Sequence, residues 1–183
     1  MNLTMKAIKH SEWASEETLC YQANVYLDGK PFARVRNDGR GGCDRVELHE
    51  KSPLINLRDG QFVQNAWRKK YSEIEAYFKS LPPSPFSYEG TNGVMIHDSL
   101  PQSFESWCHD ELREYLIRQD IRKAMRRNHM VKMREDGRKG YYLYEFAFEV
   151  SVANINNRYP NSVILNDLPF EEAVKEWKEC ANA

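Results

Sequence analysis

Apolar and polar residues alternate strictly from Leu19 to His49, and this alternation predicts antiparallel strands. The apolar positions of the first run are odd-numbered up to Leu27, and Ala33 and Val35 continue the same parity in the second run. Successive side chains of a strand point to opposite faces, so each run has one apolar face. A glycine-rich corner and a third alternating run follow, which is typical of a meander.

The first turn of this meander is predicted to be a three-residue loop. Pairing odd positions with odd positions matches Val25 with Pro31, and Gly29 takes the left-handed conformation that glycine adopts at little cost. Before the meander, a polar loop carries Trp13, which is predicted to cover the core. The register places three residues on the outer face of the meander: Phe32, Arg34 and Arg36.

Apolar side chains at three- and four-residue spacing predict helices further along the chain. One helix covers Phe62 to Leu81, and a loop is predicted from there to about Leu100. A second helix begins near Ser103, and its apolar positions change side after Arg118. It is therefore expected either to break there or to pack on both sides. The segment LPFEEAVKEW predicts a last helix.

Alternation returns between Met130 and Phe148 and predicts a second hairpin, whose strand YYLYEFAF is apolar enough for a central position in a sheet. The predicted fold class is therefore α+β, with an N-terminal antiparallel meander, amphipathic helices and a hairpin in the C-terminal half. With 183 residues, we expect a single domain. The meander would occupy residues 1–50, and the helices and hairpin, in residues 60–183, would pack on it.

Composition favours a soluble, cytoplasmic protein without a membrane partner. Hydrophobic residues make up 41% of the chain, and the mean hydropathy is -0.74. The N-terminal residues contain no apolar stretch of the kind that directs export. The four cysteines are scattered without a CxxC pair, which indicates reduced thiols. No cofactor motif is present.

Charge is segregated along the chain, although the net charge is only -1. Residues 113–139 contain 10 Lys and Arg against 4 Asp and Glu, so this segment carries +6. Such a stripe could follow a nucleic-acid backbone, meet an acidic protein partner, or pair with the acidic remainder of this chain. The candidate binding residues in the predicted helix are Arg118, Arg122, Lys123, Arg126 and Arg127.

Two further features have the residue types of chemical sites. The glycine-rich corner from Asn37 to Gly42 could cradle a phosphate, but a strand rather than a helix follows it, so a structural turn is favoured. Cys108 and His109 are neighbours, yet on a helix they point about 100° apart, which is poor geometry for a nucleophile and its base. A buried thiol is the preferred interpretation.

An acidic and imidazole group next to the corner has the residue types of a metal-dependent hydrolase. If Asp44 lies in the third strand, alternation places it on the face opposite Glu47 and His49, so the group is not expected to converge. Its weak candidate ligands are Asp38, Asp44, Glu47 and His49.

The run ETLCYQANVYLDGKPFARVRNDGRGGCD and the later LNDLPFEEAVKEW resemble short uncharacterised proteins of phages and prophages. The resemblance implies an accessory protein of a mobile element, of the kind that acts by binding a host protein. We therefore expect a non-catalytic binding protein that regulates or inhibits a host protein. Nucleic-acid binding through residues 113–139 is the alternative, and a metal-dependent enzyme is a third possibility.

Overall fold

The computed structural model describes residues 1–49, 66–89, 95–134 and 140–181. It confirms an α+β fold with an N-terminal antiparallel sheet and a second sheet in the C-terminal half. Its contacts form two compact units, residues 1–113 and 114–183; the single domain stays a prediction. The strands are β1 (Leu3–Ser11), β2 (Cys20–Leu27), β3 (Lys30–Asn37), β4 (Arg45–Leu48), β5 (Ser84–Glu89), β6 (Met95–Leu100), β7 (Asn128–Met133), β8 (Tyr142–Ala147) and β9 (Val163–Ile164). The helices are α1 (Ala66–Ser80), α2 (Phe104–Met125), α3 (Val152–Arg158) and α4 (Phe170–Ala181).

The first unit is built on a four-stranded antiparallel sheet in the order β1-β2-β3-β4. Its apolar parity follows the sequence pattern, since Tyr21, Ala23, Val25 and Leu27 of β2 are all buried. The polar residues between them lie on the opposite, exposed side of the sheet. One face of the sheet therefore contributes to a core, and the other meets solvent.

The first hairpin differs from the predicted one in both turn and register. Leu27 pairs with Lys30 across a two-residue turn, and Asp28 and Gly29 both have positive φ, at 48° and 79°. This is the turn that Asp-Gly favours, because its twist matches that of the strands. It pairs odd with even positions, so a bulge follows that brings Val25 opposite Ala33.

Because of this bulge, Phe32 does not lie on the outer face of the meander, where the alternation predicted it. Phe32 and Ala33 are consecutive and both buried, because the extra residue interrupts the alternation. The Phe32 ring packs edge-on against Phe104 of α2 with 6.3 Å between the centroids. Phe32 is therefore a core residue and does not contribute to an exposed contact surface.

Helices complete the core of the first unit. Ile74 and Phe78 of α1 are buried at the predicted four-residue spacing, as are Phe104, Cys108 and Leu112 of α2. The start of the predicted first helix, including Phe62 and Val63, lies outside the described residues. Between α1 and α2, where a loop was expected, strands β5 and β6 pair as an antiparallel hairpin.

Helix α2 is continuous, so of the two alternatives expected from the sequence the break near Arg118 is wrong and the single long helix is confirmed. Its residues up to Arg113 belong to the first unit and those from Glu114 onward to the second. Leu112 is buried in the first unit, and Ile121 is buried in the second. The boundary between the units falls between Leu112 and Ile121, so the buried residues of the two stripes belong to different units.

The second unit contains a three-stranded sheet in the order β8-β7-β9. Strand β7 is central and Met130 to Met133 are all buried, whereas β8, expected at the centre, is an edge strand. The two-residue strand β9 causes the difference, because it pairs with the free side of β7. Leu165 and Ala173 of the segment around α4 pack with Met130 to form part of the core.

Candidate interaction surface

The exposed side of the first sheet carries two rows of polar side chains that cross all four strands. Strand register fixes both rows, and neighbouring residues within a row lie on adjacent strands at about 5 Å. We call the two rows together the outer sheet face. The first row is Lys6, Asn24, Arg34 and Glu47, and the second is Lys9, Gln22, Arg36 and Arg45.

The outer sheet face is strongly cationic. Among its eight residues, five are Lys or Arg and one is acidic, namely Glu47, which pairs with Arg36 at 2.7 Å. Arg34 donates a hydrogen bond of 2.6 Å to Gln22, which belongs to the second row, so the two rows are linked. Concentrated charge of one sign on a fixed frame attracts a partner of the opposite charge.

Arg34 and Arg36 were singled out from the sequence, but Lys6, Lys9 and Arg45 were missed. Lys6 and Lys9 lie on β1 on either side of a β-bulge, and Arg45 begins β4. Their alignment with the two arginines depends on the register of four strands. Parity within β4 was the available signal for Arg45, whereas the bulge in β1 hides the relation between the two lysines.

The basic segment of the sequence is partly neutralised within the second unit. Arg118 donates hydrogen bonds to Glu171 from both terminal nitrogens, at 2.7 and 2.8 Å, and its Nε donates one to Glu114 at 2.7 Å. Arg122 lies 4.2 Å above the ring of Phe170. The interpretation that these cations meet the acidic remainder of this chain therefore applies to Arg118.

Lys132 is a second cation that the chain uses internally. Only 5% of it is exposed, and its Nζ lies 2.5 Å from Glu176 and 2.6 Å from Glu179 of α4. These bonds outweigh the opposing effect of burial and raise the pKa of Lys132. Lys132 therefore stabilises the second unit and is not available to a partner.

Part of the exposed remainder of the basic segment lies at the C-terminal end of α2. Lys123, Arg126 and Arg127 are exposed, and within the described ranges none of them has an ion-pair partner. Arg138 and Lys139 lie outside the described residues. Of the predicted stripe of Arg118, Arg122 and Arg126, Arg118 is therefore neutralised by ion pairs, whereas Arg126 belongs to a group of exposed cations at one helix end.

Asp44 is the centre of a half-buried hydrogen-bond network in the first unit. Its side chain is 1% exposed, and its oxygens accept bonds from the hydroxyl of Tyr21 and from Asn37 Nδ2 at 3.1 Å. His109 Nε2 lies 3.3 Å from the same carboxylate, and Glu105 accepts a bond of 2.6 Å from the Asp44 backbone nitrogen. The network links the residue before β4 to the first turns of α2.

This network stabilises charged forms of two of its members. Burial opposes ionisation of Asp44, but the bonds from His109, Tyr21 and Asn37 outweigh it and lower the pKa of Asp44. The bond to Asp44 raises the pKa of His109, against the effect of burial. Burial and the bond to Asp44 raise the pKa of Tyr21, so its hydroxyl stays protonated and donates.

The four metal-ligand candidates from the sequence do not converge. Asp44 points into the network, whereas Glu47 pairs with Arg36 on the outer sheet face, and Asp38 lies 3.9 Å from Arg45. His49 is exposed beyond the end of β4. The carboxylate and imidazole group that does come together in the described residues is Asp44, Glu105 and His109, with ligand atoms within 4.8 Å. Asp44 already accepts three hydrogen bonds there, so the bonds account for the arrangement without a metal.

The glycine-rich corner is a structural turn that fixes the loop before β2. The carbonyl oxygen of Gly39 accepts the backbone N–H groups of Glu16, Glu17 and Thr18, at 2.9, 2.9 and 3.2 Å. Gly39 has φ +83°, and a Cβ at this position would lie 2.0 Å from the carbonyl oxygen of Ala14. The carbonyl oxygen of Gly39 in the corner therefore satisfies three backbone amides of the loop before β2.

Cys108 is fully buried, and burial together with nearby acidic groups raises the pKa of its thiol. These properties match an inert core thiol rather than a nucleophile. In the described part of the chain, no helix is long and apolar enough to cross a bilayer. The chain matches no protein-family model, no curated protein and no solved structure.

Proposed function

We propose that the protein is a non-catalytic binding protein that recognises an acidic surface of another protein through the outer sheet face. The observation that carries the proposal is the alignment of five cations against one acid in two cross-strand rows. A face fixed by backbone hydrogen bonds loses little freedom on binding, so its charges can discriminate between partners.

Protein is favoured over nucleic acid as the partner because this face offers little to stack on a base. Single-stranded nucleic acids are held by several aromatic rings together with basic side chains. Among the strand residues of the described first sheet, Tyr26 is the one aromatic residue on the side of the sheet that carries the two rows, and Lys6 Nζ lies 5.0 Å from its ring. A duplex groove admits a helix or a two-stranded ribbon, whereas this face is four strands wide.

The resemblance to short phage and prophage proteins supports a host protein as the partner, and a regulatory or inhibitory role follows from that choice. The exposed cluster of Lys123, Arg126 and Arg127 supports a second candidate function, contact with a nucleic-acid backbone. That contact would be independent of sequence and would weaken steeply with salt.

Affinity capture from an extract of the cell that makes the protein tests the proposal. Captured proteins are identified after nuclease treatment, and each is then purified and tested for direct binding. The Lys6→Glu/Arg34→Glu variant should lose the partner, because both changes reverse exposed charges of the first row. The Lys69→Glu/Lys79→Glu variant on the exposed side of α1 is the matched control and should retain it.

Two outcomes would contradict the proposal. Capture of the same protein by the Lys6→Glu/Arg34→Glu variant would remove the outer sheet face as the site. Loss of all binding on nuclease treatment, together with its loss in an Arg126→Glu/Arg127→Glu variant, would favour the nucleic-acid alternative.

A further inference from the structure

Trp13 is the most exposed large apolar side chain in the described part of the chain. It is 91% exposed, whereas the next most exposed, Leu100, is at 58%. The sequence predicts Trp13 to cover the core, and this prediction is wrong. Tryptophan is enriched among the few residues that dominate the binding energy of protein interfaces, where it fills a pocket on the partner.

The loop that presents Trp13 is ordered by its own hydrogen bonds. Three backbone amides that follow Trp13 converge on the carbonyl of Gly39, and Ser15 Oγ both accepts from the Cys20 amide and donates to the Ser11 carbonyl, at 2.8 Å each. A side chain held out on a fixed loop loses less conformational entropy when it binds than one on a flexible loop.

Acidic residues surround Trp13 in the sequence. Glu12, Glu16 and Glu17 are exposed, and the segment 12–17 contains no cation. A complementary surface must therefore combine an apolar hollow for the indole with cations around it.

The outer sheet face of this chain has such a hollow. It has a volume of about 300 Å³ with walls made mostly of carbon, and three cations, Lys9, Arg36 and Arg45, line it with one acid, Asp38, which lies 3.9 Å from Arg45. Ser11 and Cys20, which flank the loop of Trp13, line the same hollow. Hollow and loop thus have complementary charge and lie next to each other in the chain.

We propose that two copies of this chain associate about a two-fold axis, with Trp13 of each copy in the hollow of the other. A two-fold contact is self-complementary, so one interface uses both loops and both hollows. Glu12, Glu16 and Glu17 of one copy then face the cations that border the hollow of the other. The proposal goes beyond the proposed function and does not depend on it, because the first row of the outer sheet face is not needed for the contact.

Sedimentation over a range from low micromolar to several hundred micromolar protein tests the contact. The wild-type chain should pass from monomer to dimer and stop there, and added salt should weaken the dimer. Trp13→Ala should weaken dimerisation by about 30-fold or more, the loss expected of a residue that dominates an interface. Leu100→Ala is the matched control and should leave the dimer unchanged, since Leu100 is exposed on β6 and belongs neither to the loop of Trp13 nor to the lining of the hollow.

A mixing experiment tests the reciprocal arrangement. The Lys9→Glu/Arg45→Glu variant keeps the loop of Trp13 and loses the cations of the hollow, whereas Trp13→Ala keeps the hollow and loses the indole. Neither variant should dimerise alone at the wild-type midpoint, but a mixture should form heterodimers through the one intact contact. The changed side chains are all exposed, so folding should not be affected.

A chain that remains monomeric at every concentration would overturn the proposal. So would a dimer that Trp13→Ala leaves unchanged, or a mixture that gives no more dimer than the two variants separately. None of these three results depends on whether a partner protein binds the outer sheet face, so failure of the dimer is distinguishable from failure of the proposed function.

Discussion

Replacing Gly39 by alanine should destabilise the first unit more than any other glycine substitution in the corner. A methyl group at Gly39 meets two obstacles, a positive φ of +83° and the carbonyl oxygen of Ala14 at 2.0 Å. The backbone conformation alone costs a non-glycine residue about 1–2 kcal/mol. The oxygen belongs to the backbone, so it cannot move aside by a side-chain rotation.

The clash should be relieved by displacing the loop that bonds to the Gly39 carbonyl. Three backbone amides donate to this oxygen, and losing two or three such bonds costs about 2–3 kcal/mol, since each is worth about 1 kcal/mol net. Together with the backbone cost, Gly39→Ala should lower the free energy of unfolding by about 3–5 kcal/mol.

Gly42→Ala is the matched control for this prediction. Gly42 has nearly the same φ, +88°, but a Cβ there would have no heavy atom within 4 Å. Its cost should be the backbone term of about 1–2 kcal/mol alone. The difference between the two variants therefore isolates the contact with the loop.

Urea unfolding and thermal melting, followed by far-ultraviolet circular dichroism, measure this difference. For a chain of this size, 1 kcal/mol corresponds to about 2–4 °C, so Gly39→Ala should melt about 4–12 °C below Gly42→Ala. Amide exchange of Glu16, Glu17 and Thr18 should also be faster in Gly39→Ala. Equal melting temperatures for the two variants would refute the role assigned to the Gly39 carbonyl.

The remaining predictions concern ionisable and buried side chains. The bond to Asp44 that raises the pKa of His109 stabilises the fold fully below the unfolded pKa of about 6.5. This stabilisation is lost as pH rises through the folded pKa, so His109→Gln should reduce stability more at pH 6 than at pH 8. The lowered pKa of Asp44 acts in the opposite direction, and its contribution, present above about pH 4, should disappear on further acidification, as a pH series of wild-type and Asp44→Asn melts would detect. Maleimide should label the exposed Cys43 in the native protein and Cys108 only after denaturation, as mass spectrometry of timed samples would record. Lys132→Ala should lower the free energy of unfolding by about 1–3 kcal/mol, because it removes the charge-assisted hydrogen bonds of a buried lysine, and urea titration measures the loss.

The elements that could be predicted from the sequence are those with a repeating local pattern. Alternation from Leu19 to Val35 gave the buried parity of β2 and β3, and four-residue spacing gave Ile74 and Phe78 of α1. These signals are local, because a strand or helix that buries one face repeats its apolar residues at a fixed interval.

The elements that could not be predicted depend on features outside the local pattern. These are a turn and a bulge that offset each other, or a partner strand that is distant in sequence. A three-residue loop would preserve the parity of the first hairpin, but a two-residue Asp-Gly turn followed by a bulge at Phe32 preserves it equally well. The position of β8 at an edge depends on β9, which has only two residues, Val163 and Ile164. A pattern this short has no recognisable period.

The candidate site was predictable only in part for the same reason. Arg34 and Arg36 are visible as outer residues of one strand, whereas the rows that they complete require the register of all four strands. Asp44 was noticed, but its partner His109 lies 65 residues away. No local pattern relates two side chains at that separation.

Titration of the purified partner with wild-type protein and with the Lys6→Glu/Arg34→Glu variant, at several salt concentrations, tests the central claim most directly. We expect the variant to bind at least about tenfold more weakly at low salt, and the difference to shrink as salt screens the charges. Equal affinity of the two proteins at low salt would contradict the claim that the outer sheet face recognises an acidic partner.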